Sequence, residues 1–224
     1  MERFGFPDIS IDVDHLHFLI SEGDLLLELL VEHPELMGLV PERILELDVG
    51  DEASIASFAR SIEGPIDLLI NNAGTSASNL GLSRDRAGVI DAPIDLTLDL
   101  IRINGLSAAS VTRKLVHCLE AGSQVANITS QIGSMVVGAN FNDLPYATSK
   151  AVMNMVTVQL ASQLKDAGIS VVAFHPGWVR TDMGGSGADL SVEESAQGIL
   201  TTLQTFEHAD SGSFLRWDGS VHPW

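Results

Sequence analysis

Ile66-Asp67-Leu68-Leu69-Ile70-Asn71-Asn72-Ala73-Gly74 (IDLLINNAG) is the stretch that decides the fold. Its apolar run, entered from a Gly64-Pro65 break, reads as a short strand buried on both faces. The polar, glycine-closed end reads as the strand's terminus opening onto a loop. Upstream, Asp51 is placed to cap a helix over Glu52–Ile62, in which Ile55, Phe58, Ala59 and Ile62 share one face. Before that helix, Arg43–Val49 (RILELDV) reads as a further strand. Downstream, residues 75–93 are loop-like, and a long helix is predicted over Leu96–Leu119, ended by Gly122. Gln124–Thr129 (QVANIT) is the next strand, and a helix follows from about Tyr146 to Lys165, closed by Gly168. Ile169–Phe174 (ISVVAF) is a strand leading into His175-Pro176-Gly177. Beyond a glycine-rich loop over Met183–Leu190, Ser191 and Glu194 form a capping box for a helix over Val192–Phe206. Ser213–Trp217 is a last strand.

Strands alternating with helices imply a parallel sheet covered on both faces. With right-handed crossovers this is a doubly wound α/β sheet in a single domain. Ligands in such sheets bind outside the carboxyl ends of the strands, which here are Asp48, Asn71–Gly74, Ser130 and Pro176-Gly177.

A chain of 224 residues suits one such domain. With 45% hydrophobic and 19% charged residues, wholesale disorder is excluded. The single cysteine, Cys118, excludes a disulfide framework and a cysteine-built zinc site, and its apolar helical setting makes it a core residue. There is no basic-then-apolar start and no long uncharged apolar run, so a cytoplasmic protein without a membrane span is expected. Thirty acids against 12 bases give a net charge of −18, which argues against a nucleic-acid footprint. Half of that excess sits in residues 1–42, where ten acids face a single base, Arg3. The chain therefore divides into an acidic segment, 1–42, and a domain, 43–224. Within the segment, Asp8–Val13 alternates like a strand and Leu25–Val31 reads as a helix. Its only glycines are Gly5, Gly23 and Gly38, so it holds no glycine-rich turn.

Tyr146 and Lys150 stand four apart at the start of a predicted helix, one turn apart on one face. A phenol with the ordinary pKa of about 10 is a poor base at neutral pH. A nearby ammonium favours the phenolate and lowers that value by roughly 1–3 units. The pair at a strand-end crevice is therefore suited to proton transfer. Ser130, at a predicted strand end, can donate to a carbonyl or alcohol oxygen. Asn104, a poor helix former inside a long helix, suggests a held water or a bend. Other polar groups read more plainly. Glu193-Glu194 and Asp51-Glu52 are helix-start charges. His15 and His17 lack a third ligand, so no metal is expected. Trp178 either touches substrate or covers the core, and Trp217 and Trp224 pack or serve an interface.

Together, Asn71-Asn72-Ala73-Gly74, Asn104, Ser130, Tyr146 with Lys150, and Pro176-Gly177 followed by Thr181 resemble the short-chain dehydrogenase/reductase family. Leu47-Asp48-Val49 fits the family's pattern for the strand before the NNAG turn. The resemblance covers residues 43–224. The 16-residue gap from Ser130 to Tyr146, His175–Gly185 (HPGWVRTDMGG) and Asp218–Trp224 (DGSVHPW) resemble the branch that contains C-factor, a cell-contact signalling protein, and its carbonyl-reductase-like relatives. The resemblance implies a Rossmann-like fold and hydride transfer between a nicotinamide cofactor, NADP or NAD with NADP favoured, and a small carbonyl or alcohol. It implies Tyr146 as general acid/base, Lys150 lowering its pKa and holding the ribose, Ser130 positioning the substrate oxygen and Asn104 holding a relay water. Asp48 and Val49 would meet the adenine, and Asn72, Ala73 and Gly74 the adenosine side. Pro176, Gly177 and Thr181 would flank the nicotinamide, with residues 183–190 as a substrate lid. The helices over 96–119 and 146–165 would pair in a homodimer or homotetramer.

The family opens with a strand, a TGxxxGxG turn and a helix whose N-terminus receives the pyrophosphate. Residues 1–42 hold no such turn and carry −9, so the first βαβ unit is altered or absent. Three accounts fit this start. The coding start is altered and the ancestral protein is an ordinary reductase; the cofactor has been lost and the scaffold serves signalling or binding; or the segment rebuilds a sheet edge and binds the cofactor atypically.

Overall fold

A computed structural model describes residues 16–18, there as backbone only, and residues 45–224. The strand predicted at Asp8–Val13, the helix predicted at Leu25–Val31 and the side chains of His15 and His17 lie outside the described residues. The described strands are β1 (Leu16–Phe18), β2 (Leu68–Asn71), β3 (Gln124–Ile128), β4 (Ser170–His175) and β5 (Phe214–Arg216). They form one fully parallel sheet in the order β1-β2-β3-β4-β5. Register is continuous across the middle: Ile70 pairs with Ala126, and Ala126 with Val172.

The helices are α1 (Glu52–Ser61), α2 (Ile94–Leu100), α3 (Ser107–Leu115), α4 (Leu144–Leu164) and α5 (Val192–Gln204). They divide between the faces as the two-residue period of the strands dictates. Leu69, Val125 and Val171 pack with Ile55 and Phe58 of α1, Val111 and Leu115 of α3 and Ala161 of α4. Their strand neighbours Leu68, Ala126, Val172 and Phe174 pack with Ile199 and Leu203 of α5 on the opposite face. This is the Rossmann-like α/β domain expected from the alternation. Cys118 is buried in the first of these cores.

Caps are where the sequence places them. Asp51 accepts from the Ala53 and Ser54 N–H groups at the start of α1, and Ser191 and Glu194 close a capping box at the start of α5. Arg43–Val49 is a correction: Leu45–Asp48 has no ladder partner among the described residues and turns at Val49–Gly50. The Asp48 N–H bonds to Ser54 Oγ (2.9 Å), and the Asp48 carboxylate takes the Gly50 N–H (2.8 Å). These local bonds consume donors that a ladder would need. Leu47 and Val49 are nonetheless buried in the core, and this is the apolar signal that reads as a strand. The helix predicted over Leu96–Leu119 is also subdivided. Between α2 and α3 the backbone widens to a π-helical turn over Ile101–Leu106, which contains Asn104.

Candidate functional site

The carboxyl ends of β2, β3 and β4 open into one cleft of about 380 Å³. Ser130, Tyr146 and Lys150 line it together, with Asn72, Gly74, Pro176, Gly177 and Thr181. Ser130 follows β3 and caps the short turn Gln131–Gly133, its Oγ accepting from the Ile132 N–H (3.3 Å). Tyr146 and Lys150 come from the first turns of α4, which Asp143 caps through the Tyr146 N–H (3.1 Å).

Lys150 is buried, and its Nζ donates to the Ile128 carbonyl (2.9 Å) while lying 5.7 Å from the Tyr146 ring centroid. Burial lowers its pKa to about 8. The expected lowering of the phenol's pKa is not found. Burial, with the Asp143 carboxylate adding to it, pushes Tyr146 up to about 12. Desolvation of the phenolate outweighs the attraction of an ammonium that is itself partly discharged. The protein's own groups thus hold Tyr146 as a proton donor across the whole neutral range. This state suits protonation of an oxyanion formed when a carbonyl is reduced.

Asn104 is fully buried and does not line the cleft. Its Nδ2 donates to the Thr75 carbonyl (2.8 Å) and to Ser149 Oγ (3.0 Å), and its Oδ1 accepts from the Thr75 N–H (2.7 Å). Both amide protons are therefore spent on protein partners. The side chain ties the loop after Gly74 to α4. Ser149 completes the tie by donating to the Tyr146 carbonyl (2.8 Å). Gly74 sits so close to this group that a Cβ there would lie 3.3 Å from Asn104 Oδ1 and 3.6 Å from Lys150 Nζ.

Asp48, Val49 and Ala73 are likewise not part of the cleft wall. Val49 and Ala73 are in the core, and the Asp48 carboxylate is bonded to its own turn. Thr75, Asn79, Thr129, Trp178, Asp182 and Met183 are also part of the lining. Of these, sequence reasoning singled out only Trp178 and the lid residue Met183. Thr75 directly follows the NNAG turn, and that adjacency was the available signal. The lid is bound to itself: Val179 pairs with Leu190, and the Trp178 indole N–H donates to the Gly184 carbonyl (2.9 Å). Gly177 enters it at φ +88°, where a Cβ would also collide with Leu190 Cδ1, so glycine is needed there on both counts. Among the described residues, no three His, Cys, Asp or Glu side chains gather as a metal site, and no helix is long and apolar enough to cross a membrane.

A tyrosine, a lysine and a serine thus line one cleft at the carboxyl edge of a parallel α/β sheet. The model of the family described as enoyl-(acyl carrier protein) reductase matches residues 31–210. C-signal of Myxococcus xanthus is 35% identical over 171 residues, which are 75% of this chain and 99% of that protein. The 1-hydroxy-2-glutathionyl-2-methyl-3-butene dehydrogenase of Rhodococcus sp. (strain AD45) is 27% identical, covering 82% of this chain and 89% of that one. Among solved structures, NADPH-bound carbonyl reductase from chicken fatty liver superposes with a TM-score of 0.73 at 30% identity, covering 89% of this chain and 81% of that one. The chain belongs to the short-chain dehydrogenase/reductase family and is an oxidoreductase of that type.

Proposed function

We propose that the protein transfers hydride between a nicotinamide dinucleotide and a small carbonyl or alcohol, with Tyr146, Lys150 and Ser130 as the catalytic residues. The observation that carries this reading is their meeting in one cleft. The residues present fit the nicotinamide-ribose half of such a cofactor. Lys150 Nζ uses one of its N–H bonds on Ile128, which leaves donors for ribose hydroxyls. Pro176, Gly177, Thr181, Asn72 and Gly74 border the same space. When bound, the cofactor supplies the hydride. Ser130 Oγ donates to the carbonyl oxygen and fixes its position. The Tyr146 phenol gives its proton to that oxygen as charge develops. The Lys150 ammonium stabilises the phenolate left behind, and the burial that excludes water strengthens each interaction. NADP is preferred over NAD; the support is that the solved relatives of this fold include an NADPH-bound carbonyl reductase and a Burkholderia multivorans reductase with bound NADP. The enzyme acts in the cytoplasm as a homodimer or homotetramer, and the assembly is supported by the exposed Leu98 of α2, Leu106 of the π-helical turn, and Met155 and Val158 of α4.

The test is NADPH oxidation with an aromatic aldehyde, together with NADPH fluorescence on binding. Wild type should bind and turn over, and Tyr146→Phe should bind without turning over. A second reading, a signalling or binding protein that uses no cofactor, is favoured by the match to almost the full length of C-signal and by the acidic sequence that follows β1. There, Ser21-Glu22-Gly23-Asp24 holds two acids and one glycine. NADPH fluorescence unchanged by the protein at millimolar concentration would select that reading.

A further inference from the structure

We propose that the cleft selects uncharged aromatic or bulky apolar carbonyls and rejects those carrying a carboxylate, with Trp178 and Asp182 as the specificity-determining residues. This rests on the reductase reading and names its substrate class. On the substrate side, Trp178, Val179 and Met183 form the apolar wall. Trp178 is 51% exposed and Met183 41% exposed, so both offer apolar surface that a ligand would cover. The indole is held by its N–H bond to Gly184 (2.9 Å), so it meets a ligand without losing much freedom.

The charges point the same way. Among the described residues, only two lining side chains are charged, Lys150 and Asp182. Lys150 is buried at the catalytic end and bonded to Ile128. Arg180, just before the lid, does not line the cleft, and its guanidinium is occupied. It donates to the Ala188 carbonyl (3.0 Å) and the Asp189 carbonyl (3.1 Å) and lies 3.9 Å from Glu194. Residues 1–44 bring two bases, Arg3 and Arg43, against ten acids. A substrate carboxylate would lose water in the cleft without gaining a cation, and it would meet Asp182 at the mouth.

The experiment compares methyl 4-formylbenzoate with 4-carboxybenzaldehyde, which share one ring and differ in charge. With NADPH, the neutral aldehyde should show a kcat/KM at least about tenfold higher. Asp182→Lys should shrink that ratio by about threefold or more, through a lower KM for the anion. Comparing ratios between enzymes cancels the intrinsic reactivities of the two aldehydes. Trp178→Ala should raise KM for the neutral aldehyde by about tenfold, and Trp178→Phe should restore most of the loss. Equal use of the two aldehydes, or a ratio unmoved by Asp182→Lys, overturns the proposal. Binding is read separately by saturation-transfer NMR of the two benzyl alcohols. Preferential binding of the neutral alcohol without any turnover supports the selectivity while removing the reductase reading. Absence of both binding and turnover overturns the selectivity as well.

Discussion

In the proposed reaction Tyr146 and Lys150 carry the chemistry, and their environments set distinct pH behaviour. The phenol stays protonated up to about 12, so its titration does not limit carbonyl reduction below that pH. Lys150, lowered to about 8, loses its charge within the working range. The kcat for reduction should therefore fall above pH 8, with one apparent pKa near that value. Lys150→Met should flatten this limb at a much lower rate, and an unchanged limb in that variant would remove Lys150 from the step. Tyr146→Phe should lower kcat by about 10²–10⁴. Both residues were legible in the sequence because a one-turn spacing places two side chains together whatever the rest of the fold does. Asp48, Val49 and Ala73 were legible as a motif, and none of them lines the cleft. Val49 and Ala73 satisfy the core, and the Asp48 carboxylate satisfies the Gly50 N–H. Nor does spacing report desolvation, so the raised pKa of Tyr146 was not legible at all.

The site depends on two elements held at close range. The π-helical turn over Ile101–Leu106 passes α4 at Gly105, where a Cβ would lie 2.8 Å from the Ser149 carbonyl and from Val152 Cγ1. Neither the α4 backbone nor the buried turn yields easily, so Gly105→Ala has to push the two apart. That movement would strain the Asn104–Ser149 bond (3.0 Å) and, through Ser149, the first turn of α4 that bears Tyr146. A loss of about 1–3 kcal/mol of stability is expected, measurable by denaturant unfolding, with a fall in kcat that exceeds any change in KM. A variant as stable and as active as wild type would show that the contact relaxes freely. The sequence signalled this element only through Asn104, a residue ill suited to a regular helix. A widened turn keeps the apolar period on both sides nearly in phase, so the pattern reads as one helix over Leu96–Leu119. Seven elements, α1, β2, β3, α4, β4, α5 and β5, lie within about two residues of their sequence reading, because each is bounded by a cap, a glycine or a polar strand end. β1 is different. It lies at Leu16–Phe18, outside the alternation at Asp8–Val13 that reads as a strand. Its three residues form a ladder with β2, and a partner supplied by tertiary pairing leaves no period in so short a run.

At the scale of the molecule, charge and buried histidine set the response to salt and acid. A chain at −18 repels a polyphosphate ligand, and salt shortens the reach of that repulsion to about 8 Å at physiological ionic strength. NADPH should therefore bind more tightly at 200 mM than at 20 mM salt, by about threefold in fluorescence titrations; the opposite slope would show a cationic phosphate site. Acid acts on the end of β4. His175 is buried, packs edge-on against His222 at 5.6 Å, and has its Nδ1 without a hydrogen-bond partner. Burial, with His222 and Arg216 nearby, lowers its pKa from 6.5 to about 4. A depressed folded-state pKa means that the unfolded chain binds the proton first. The stability that His175 contributes is complete above pH 6.5 and is lost as the pH falls towards 4. At pH 5 the loss reaches about 2 kcal/mol. The acidic surface opposes this below about pH 5, where carboxylates begin to discharge and self-repulsion eases. Between pH 7 and pH 5 the response is therefore set by buried histidine. Denaturant midpoints should decline across that window in wild type and decline less in His175→Asn, whose side chain takes no proton. Parallel declines in the two proteins would assign the acid sensitivity to another group, and His222, packed between His175 and Phe214 and also lowered by burial, is the first to examine.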